Sequence, residues 1–388
     1  MLDAIRGIEA FIVELPRETP YLGPLGPGET INRRGYLVRA GNRTLYPSTD
    51  RSLLVKVTTE EGLVGWGETY GIVAPLAVKE LIADVIAPLL EGRDIAAPAA
   101  LHDEMFDLQR VRGMSGGFFG DALAAVDIAL WDVLGRRLGV PVSTLLGGAR
   151  RERIPAYVSG LPVAGLAAKC DMALGFRDQG FAAQKFAAVV SHDGALAEMA
   201  ALREVLGPEH RLMIDMHWRN TVPEAIALIG ALARHDLAFA EAPIAPEDVE
   251  GLALVARAVA VPVAGGEEWR GTADWLPRLQ ARAIGIAQPE MARTGITGFL
   301  RAATLAQAFA VPLAPHATVG IGIFLAASLQ AASTAWRCDW HEWQHSIWDA
   351  TRRFVVSEMD CAAGFYSVPT GNGIGAEPAD AVWDFVVG

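Results

Sequence analysis

The sequence that decides the fold runs from Arg211-Leu-Met-Ile-Asp215 to Leu237-Ala-Phe-Ala-Glu241. Each of these segments is a short apolar run that ends in a carboxylate, which is typical of a buried strand reaching a polar rim. Between them, residues 222–234 carry apolar side chains at helical spacing. A strand, a helix and a second strand in this order predict two neighbouring parallel strands, because a parallel pair needs a long crossover.

The same alternation extends in both directions along the chain. Further apolar runs lie at residues 154–158, 181–186, 261–265, 284–288, 311–315 and 337–342, and a further helical pattern lies at 298–309. Eight strands over about 200 residues fit a closed α/β barrel, a TIM-like barrel whose active site lies at the carboxyl ends of the strands. A doubly wound open sheet is the alternative, but no Gly-rich dinucleotide fingerprint supports it.

The N-terminal part of the chain predicts strands followed by helices. Residues 5–15 and 52–68 have extended patterns, and the second forms a hairpin that turns at Glu60-Glu-Gly62. Residues 21–28 are too rich in Gly and Pro for regular structure and predict a loop. Residues 121–138 place their apolar side chains on one face, which predicts a helix.

Three carboxylates stand at the ends of consecutive predicted strands at an equal spacing. Asp215, Glu241 and Glu267, the carboxylate triad, are 26 residues apart in both intervals. Three converging carboxylates repel one another unless a cation lies between them. Oxygen ligands with room for substrate and water suit Mg²⁺, with Mn²⁺ next. The alternative is that each carboxylate caps the following helix, but the regular pitch favours the metal site.

Ionisable residues continue in this register on the other predicted strands. Glu290 follows Gln288-Pro289, His316 follows Ala314-Pro315, Glu342 lies in the last run, and Lys185 stands alone among apolar residues. Neighbouring strands make Glu290 and His316 a candidate dyad, in which the carboxylate orients the imidazole.

The composition excludes several classes of partner. The formal charge is −12 and no basic cluster is long enough to follow a phosphate backbone, so we expect no nucleic-acid partner. We expect no membrane association, because no apolar stretch is long enough to span a bilayer. Three irregularly spaced cysteines and the lack of a secretory signal pattern predict a cytoplasmic protein with reduced thiols.

This ordered set of residues resembles the enolase superfamily, mandelate racemase subgroup. Supporting motifs are Val64-Gly-Trp-Gly-Glu68, residues 125–132 (AVDIALWD), Leu145-Leu-Gly-Gly148 and Gly371-Asn-Gly-Ile-Gly375. The resemblance covers essentially the whole chain. It implies an α+β capping domain of residues 1–125, completed by about 355–388, over a (β/α)₇β barrel of residues 126–354. It also implies Mg²⁺ bound by the carboxylate triad, and we expect a homo-oligomer.

The resemblance implies removal of the proton α to the carboxylate of a small-molecule substrate. Lys185 would stabilise the enediolate, and a protonated Glu342 would donate to the same oxygen. Asp215-Met-His217 resembles galactonate and mannonate dehydratases, in which this histidine is an acid–base residue. Period-two alternation places Asp215 and His217 on the same side of the strand. Relatives usually carry Asp where this chain has Glu290.

The hypothesis is therefore loss of water from a sugar acid to give a 2-keto-3-deoxy acid. His217 removes the C2 proton and His316 protonates the departing 3-hydroxyl, or the two roles are exchanged. An arginine reaching the site would favour an aldarate, and otherwise an aldonate is expected. The rival activities are a racemase or epimerase and a cycloisomerase of a sugar lactone. A non-catalytic sugar-acid-binding protein is the third alternative.

Overall fold

The computed structural model describes residues 2–21, 23–41, 43–191, 193–317 and 320–388. The strands are β1 Ile5–Leu15, β2 Tyr36–Val38, β3 Leu45–Pro47, β4 Asp50–Thr59, β5 Val64–Tyr70, β6 Arg153–Ser159, β7 Ala183–Ala187, β8 Arg211–Asp215, β9 Leu237–Glu241, β10 Val263–Gly265, β11 Ile286–Ala287, β12 His341–Trp343, β13 Val355–Ser357, β14 Cys361–Ala362, β15 Phe365–Ser367, β16 Ala376–Pro378 and β17 Val386–Val387.

Both the N-terminal part of the chain and the barrel contain α-helices. They are α1 Pro75–Glu80, α2 Ala87–Leu90, α3 Pro98–Arg110, α4 Gly117–Leu138, α5 Val142–Leu145, α6 Leu166–Asp178, α7 Ala195–Leu206, α8 Val222–Leu232, α9 Val249–Ala258, α10 Thr272–Gln280, α11 Met291–Ala308, α12 Ile323–Thr334 and α13 His345–Thr351. A π-helical turn spans Leu81–Ile86, and 3₁₀ turns span Ala188–Val190, Ala233–His235, Arg352–Phe354 and Asp380–Phe385.

The predicted barrel is confirmed. Strands β6 to β11 are parallel neighbours in chain order. Single bridges carry the sheet from Ala287 to Leu313 and from Leu313 to Cys338. Just beyond Cys338, β12 pairs in parallel with β6, and this pairing completes the ring. Its inner layer includes Tyr157, Met213 and Phe239, which pack together beneath the rim.

The predicted strands differ from the observed ones mainly in length. β8 and β9 have the predicted bounds, whereas residues 284–288 reduce to β11 and residues 311–315 to a bridge at Leu313. Pro312 and Pro315 have no N–H to donate to a sheet ladder, which limits regular pairing there.

The N-terminal sheet has the order β17-β1-β4-β5, so the C-terminal strand pairs with the first strand. Helix α4 lies against β5, and Gly65 and Gly67 permit this approach. A Cβ atom at either glycine would overlap a backbone carbonyl oxygen of the helix, that of Ala129 or Ala125. The Val64-Gly-Trp-Gly-Glu68 motif therefore has a packing role. The predicted domain boundary at 125/126 falls inside α4, and the domain bounds remain predictions.

Buried carboxylates connect the N-terminal elements to barrel helices. Asp127 of α4 accepts hydrogen bonds from the backbone N–H and the hydroxyl of Thr297, at 2.8 and 2.7 Å. Glu68 of β5 accepts from the backbone N–H of Ile321 at 2.6 Å and of Phe324 at 3.1 Å, at the start of α12. These contacts hold the N-terminal sheet beside the barrel. No helix in the described ranges is both long and apolar enough to cross a bilayer.

Candidate active site

The carboxylate triad lies at the rim of the barrel as the spacing predicts. Asp215 and Glu241 are register partners at the ends of β8 and β9. Glu267 follows β10, whose Ala264 is in register with Glu241. Lys185 lies on β7, in register with Met213 of β8. Neighbouring parallel strands therefore deliver these four side chains to one end of the barrel.

A cavity of about 370 Å³ opens at this rim between the barrel and the N-terminal part of the chain. This volume is within the range of small-molecule sites. The predicted site residues that line it are Lys185, Asp215, His217, Glu267, His316 and Glu342. Glu241 and Glu290 lie behind this lining and contact it through hydrogen bonds.

Lys185 lies between two carboxylates. Its Nζ is 2.7 Å from Oε2 of Glu241 and 3.1 Å from Oε1 of Glu342. Burial would lower the pKa of Lys185, but Glu241 and Glu342 outweigh it and raise the pKa well above its ordinary value. Burial would raise the pKa of Glu342, but Lys185 and His316 lower it. The predicted donor role needs a protonated Glu342, whereas these neighbours favour its carboxylate.

The donor atoms of the site fit a hard divalent cation. Single ligand atoms of Glu241, Glu267 and His316 lie within 4.8 Å of one another, while Asp215 lies outside this compact group. Burial raises the pKa of both Asp215 and Glu241 to about 7, as expected for crowded carboxyls without a cation. Carboxylate oxygens of this kind suit Mg²⁺. The ligand set of Asp215, Glu241 and Glu267 remains a prediction.

His316 and Glu290 form a direct pair. They lie on a parallel bridge, and Nδ1 of His316 donates to Oε2 of Glu290 at 2.6 Å. On the other side of the ring, Nε2 lies 2.6 Å from Oε2 of Glu267. Burial would lower the pKa of His316, but Glu267, Glu342 and Glu290 raise it well above its ordinary value. Glutamate therefore reaches the imidazole at the position where relatives usually carry aspartate.

His217 does not reach the cavity by strand alternation, which corrects the reason for its prediction. β8 ends at Asp215, and His217 has a left-handed backbone with φ of 49°. The turn brings its Nε2 to 3.1 Å from Oδ2 of Asp215, while its backbone N–H donates to Oδ1 at 2.9 Å. Burial lowers the pKa of His217 to about 4, which favours the neutral ring. Nδ1 is buried without a hydrogen-bond partner among the described residues.

The sequence pattern did not predict two arginines that line the cavity. Arg270 and Arg293 line it, and each lies three residues after a strand-end glutamate, Glu267 or Glu290. This repeated spacing is the signal that could have found them. Arg270 donates to Asp121 at 2.9 Å.

Other aromatic and basic residues either line the cavity or lie outside its lining. Tyr21, Tyr70 and Trp218 line it. Arg33 and Arg34 are exposed and do not belong to its lining. Trp269 is buried edge-on against Trp275, with ring centroids 4.8 Å apart, so it fills the protein and does not wall the cavity.

Curated relatives with this organisation act on sugar acids and their lactones. The D-galactarolactone cycloisomerase of Agrobacterium fabrum is 33% identical over 347 residues, 86% of this chain and 90% of the relative. The D-galactonate dehydratase of Xanthomonas campestris pv. campestris is 34% identical over 295 residues, 74% of this chain and 76% of the relative.

Solved structures share the whole fold. A protein from Sinorhizobium meliloti, provisionally described as an isomerase, has 52% identity and a TM-score of 0.98, covering 99% of this chain and 100% of its own. A racemase from Streptomyces coelicolor A3(2), solved with bound magnesium, has 24% identity and a TM-score of 0.85, covering 99% and 100%. The second likeness is evidence for the fold alone.

Two domain families match this chain. The mandelate racemase / muconate lactonizing enzyme N-terminal domain matches residues 44–147, and the enolase C-terminal domain-like family matches residues 167–382. The second range contains the carboxylate triad together with Lys185, His217, Glu290, His316 and Glu342. The chain is therefore an enzyme of the enolase superfamily and belongs to its mandelate racemase / muconate lactonizing enzyme family.

Proposed function

We propose that the protein is a Mg²⁺-dependent dehydratase that converts a sugar acid, an aldonate or an aldarate, into a 2-keto-3-deoxy acid. One observation carries this proposal. His217 and His316 line the same cavity as Lys185 and the carboxylates of the rim. Removal of a proton from C2 and loss of a hydroxyl from C3 need a base and an acid at one substrate, and the two histidines supply this pair.

The cation would be held by Asp215, Glu241 and Glu267, with Mn²⁺ as the alternative to Mg²⁺. When bound, it supplies positive charge that stabilises the substrate carboxylate as a second negative charge develops. Lys185 lies 2.7 Å from Glu241 and lines the cavity, so its ammonium group adds a hydrogen bond to the same carboxylate.

The two histidines have different tasks in the proposed reaction. His217, whose low pKa favours the neutral ring, accepts the C2 proton. The electrons of the broken C2–H bond form the enediolate. His316, oriented by Glu290, then donates a proton to the 3-hydroxyl as its C–O bond breaks, and water leaves. The resulting enol tautomerises to the 2-keto-3-deoxy acid.

A cycloisomerase of a sugar lactone is the second candidate. It is favoured by the Agrobacterium fabrum relative, which covers more of this chain than the galactonate dehydratase does. In that reaction the base again removes an α-proton, but the bond that breaks is the C–O bond of the lactone ring. The leaving group is then a carboxylate, and no water is released.

The test is a screen of aldonic acids, aldaric acids and their lactones for keto-acid formation in the presence of Mg²⁺. We expect the purified protein to form a keto acid from at least one open-chain acid. His217→Asn should lower kcat by at least about 100-fold, because the ring that accepts the proton is lost. Full activity of this variant would contradict the assignment of His217 as the base.

The same screen in D₂O separates the remaining activities. A dehydratase forms a keto acid from an open-chain acid, and a cycloisomerase forms it from a lactone only. A racemase or epimerase returns deuterated substrate and its epimer without any keto acid. Binding of the acids with no exchange and no product would instead indicate a non-catalytic binding protein.

A further inference from the structure

The cations of the cavity differ in whether a protein carboxylate lies within ion-pair distance of them. Lys185 is paired with Glu241 and Glu342, His316 with Glu267 and Glu290, and Arg270 with Asp121. Arg293 also lines the cavity, but it makes no ion pair within the part of the chain that the structure describes. Its Nε is buried without a hydrogen-bond partner there.

Arg293 is held in place without a direct ion pair among the described residues, although the charges of Asp121, Glu267 and Glu290 act on it from a greater distance. Its backbone N–H donates to the carbonyl of Glu290 at 3.1 Å, in the first turn of α11. Its guanidinium lies over the Tyr70 ring, with Cζ 5.0 Å from the ring centroid. The Tyr70 hydroxyl donates to Oε2 of Glu290 at 2.7 Å. The arginine is thus fixed beside the dyad by contacts that leave its fork of donors available.

The position of Arg293 is between two spaces that a substrate chain can occupy. It lines the 370 Å³ cavity and also an adjoining cleft of about 730 Å³. Thr44, His217, Trp218 and Glu267 line both spaces as well, so the two adjoin. A substrate whose reacting end lies among Lys185 and the carboxylates would extend past His217 and Glu267 towards this arginine.

We propose that Arg293 binds a second carboxylate at the far end of the substrate, so that the preferred substrate class is the dicarboxylic aldarates. This inference rests on the proposed function, since it concerns the substrate of the same site. A guanidinium that makes no direct ion pair has donors left for a planar carboxylate, which it can bind with two parallel hydrogen bonds. The primary hydroxyl of an aldonate supplies neither the charge nor the second acceptor.

Matched acids test this proposal. Galactarate and galactonate differ only at C6, as do glucarate and gluconate, and further diacid–monoacid pairs of the other configurations are added so that each pair isolates the far carboxylate. For the pair that is turned over, we expect kcat/KM to be at least about 30-fold higher for the diacid. Arg293→Gln should reduce this diacid-to-monoacid ratio by at least about 30-fold, because the charged partner is lost. Arg293→Lys, which keeps the charge without the fork, should give an intermediate ratio.

The ratio separates recognition from a structural role. If Arg293 only offset the charge of Glu267 and Glu290, Arg293→Gln would slow both acids of a pair equally and leave the ratio unchanged, which would overturn the proposal. Arg353→Gln is the matched control. It removes an exposed arginine over Phe354, with Cζ 4.7 Å from the ring centroid and outside the cavity, and the ratio should stay as in the unmodified protein.

The role of Arg293 can be tested separately from the proposed dehydratase function. If no sugar acid gives a keto acid, calorimetric titration with the same acids and Mg²⁺ measures recognition directly. Tighter binding of the diacid that is lost in Arg293→Gln would support the role of Arg293 in a protein of another activity. Equal binding of diacid and monoacid, or no binding of any diacid, would overturn it.

Discussion

Nδ1 of His316 lies 2.6 Å from Oε2 of Glu290, and the carboxylate is completely buried. Glu290 is held from two other directions. The Tyr70 hydroxyl donates to Oε2 at 2.7 Å, and the backbone N–H of Ala292 donates to Oε1 at 2.9 Å. A carboxylate fixed in this way fixes the imidazole as well, so Glu290 is a positioning residue for His316.

The first prediction concerns Glu290→Gln. We expect kcat to fall by about 10- to 100-fold, because the imidazole loses its oriented carboxylate. Burial lowers the pKa of His316, whereas the neighbouring carboxylates of Glu267, Glu342 and Glu290 raise it. Removing one of these carboxylates lowers that pKa. An activity that needs the protonated imidazole should then decline at a lower pH, so the alkaline limb of the pH profile of kcat should shift to lower pH.

Glu290→Asp is the control for this profile. It keeps the negative charge but shortens the side chain, so kcat should fall while the alkaline limb stays closer to that of the unmodified enzyme. A Glu290→Gln enzyme whose alkaline limb does not move would contradict the electrostatic role of the dyad.

The second prediction is that Mg²⁺ stabilises the protein more at alkaline than at acidic pH. Burial raises the pKa of Asp215 and Glu241 to about 7, so below that pH a cation must displace protons from both carboxyls. In the cation-free protein these raised values mean that the folded state holds more protons than the unfolded state between about pH 4 and 7. Without the cation, these two groups therefore make the free energy of unfolding fall as the pH rises through that window. The bound cation stabilises the ionised carboxylates and so removes this decrease.

Thermal unfolding with and without Mg²⁺ measures this effect. The increase in Tm should be larger at about pH 8 than at about pH 5.5, since each displaced proton is worth about 1.4 kcal/mol per pH unit. Asp215→Asn and Glu241→Gln each remove one titrating group and should flatten the dependence. An equal increase in Tm at both pH values would mean that these carboxyls do not hold the cation.

The sequence anticipated the parts of the site that depend on chain periodicity. Asp215 and Glu241 end β8 and β9 at the predicted residues, because an apolar strand and the polar residue at its end are both local signals. Glu290 and His316 follow from the same pitch, and the bridge between them fixes their contact. A repeating strand–helix unit turns a linear spacing into a position on one rim.

What escaped prediction depends on loop geometry and on contacts between distant segments. His217 faces Asp215 because of a left-handed turn, and no periodicity encodes such a backbone. The role of Arg293 depends on its having no direct ion pair among the described residues and on its stacking on Tyr70, 223 residues earlier in the chain. Such properties follow from the assembled fold.

The third prediction tests the close approach of helix α4 to strand β5. Gly67→Ala should lower the free energy of unfolding by at least about 2 kcal/mol, because the added Cβ would overlap the carbonyl oxygen of Ala125 and push the helix away. Gly7→Ala is the control, since a Cβ at Gly7 would have no atom within 4 Å and this substitution should change stability little. Denaturant unfolding measures both. Equal midpoints would contradict a packing role for Gly67.

The fourth prediction concerns Lys185→Met. The variant removes the cation that Glu241 and Glu342 share, at 2.7 and 3.1 Å from Nζ, and a hydrogen-bond donor to the developing enediolate. We expect kcat to fall by about 10²- to 10³-fold, as for loss of one donor to a developing negative charge. Burial raises the pKa of both glutamates, whereas Lys185 lowers it. When Lys185 is lost, both pKa values should therefore rise, and the residual activity should shift to higher pH. Steady-state kinetics over a pH series, with circular dichroism to verify folding, measures both effects. A folded variant within about tenfold of the original kcat would remove Lys185 from the proposed mechanism.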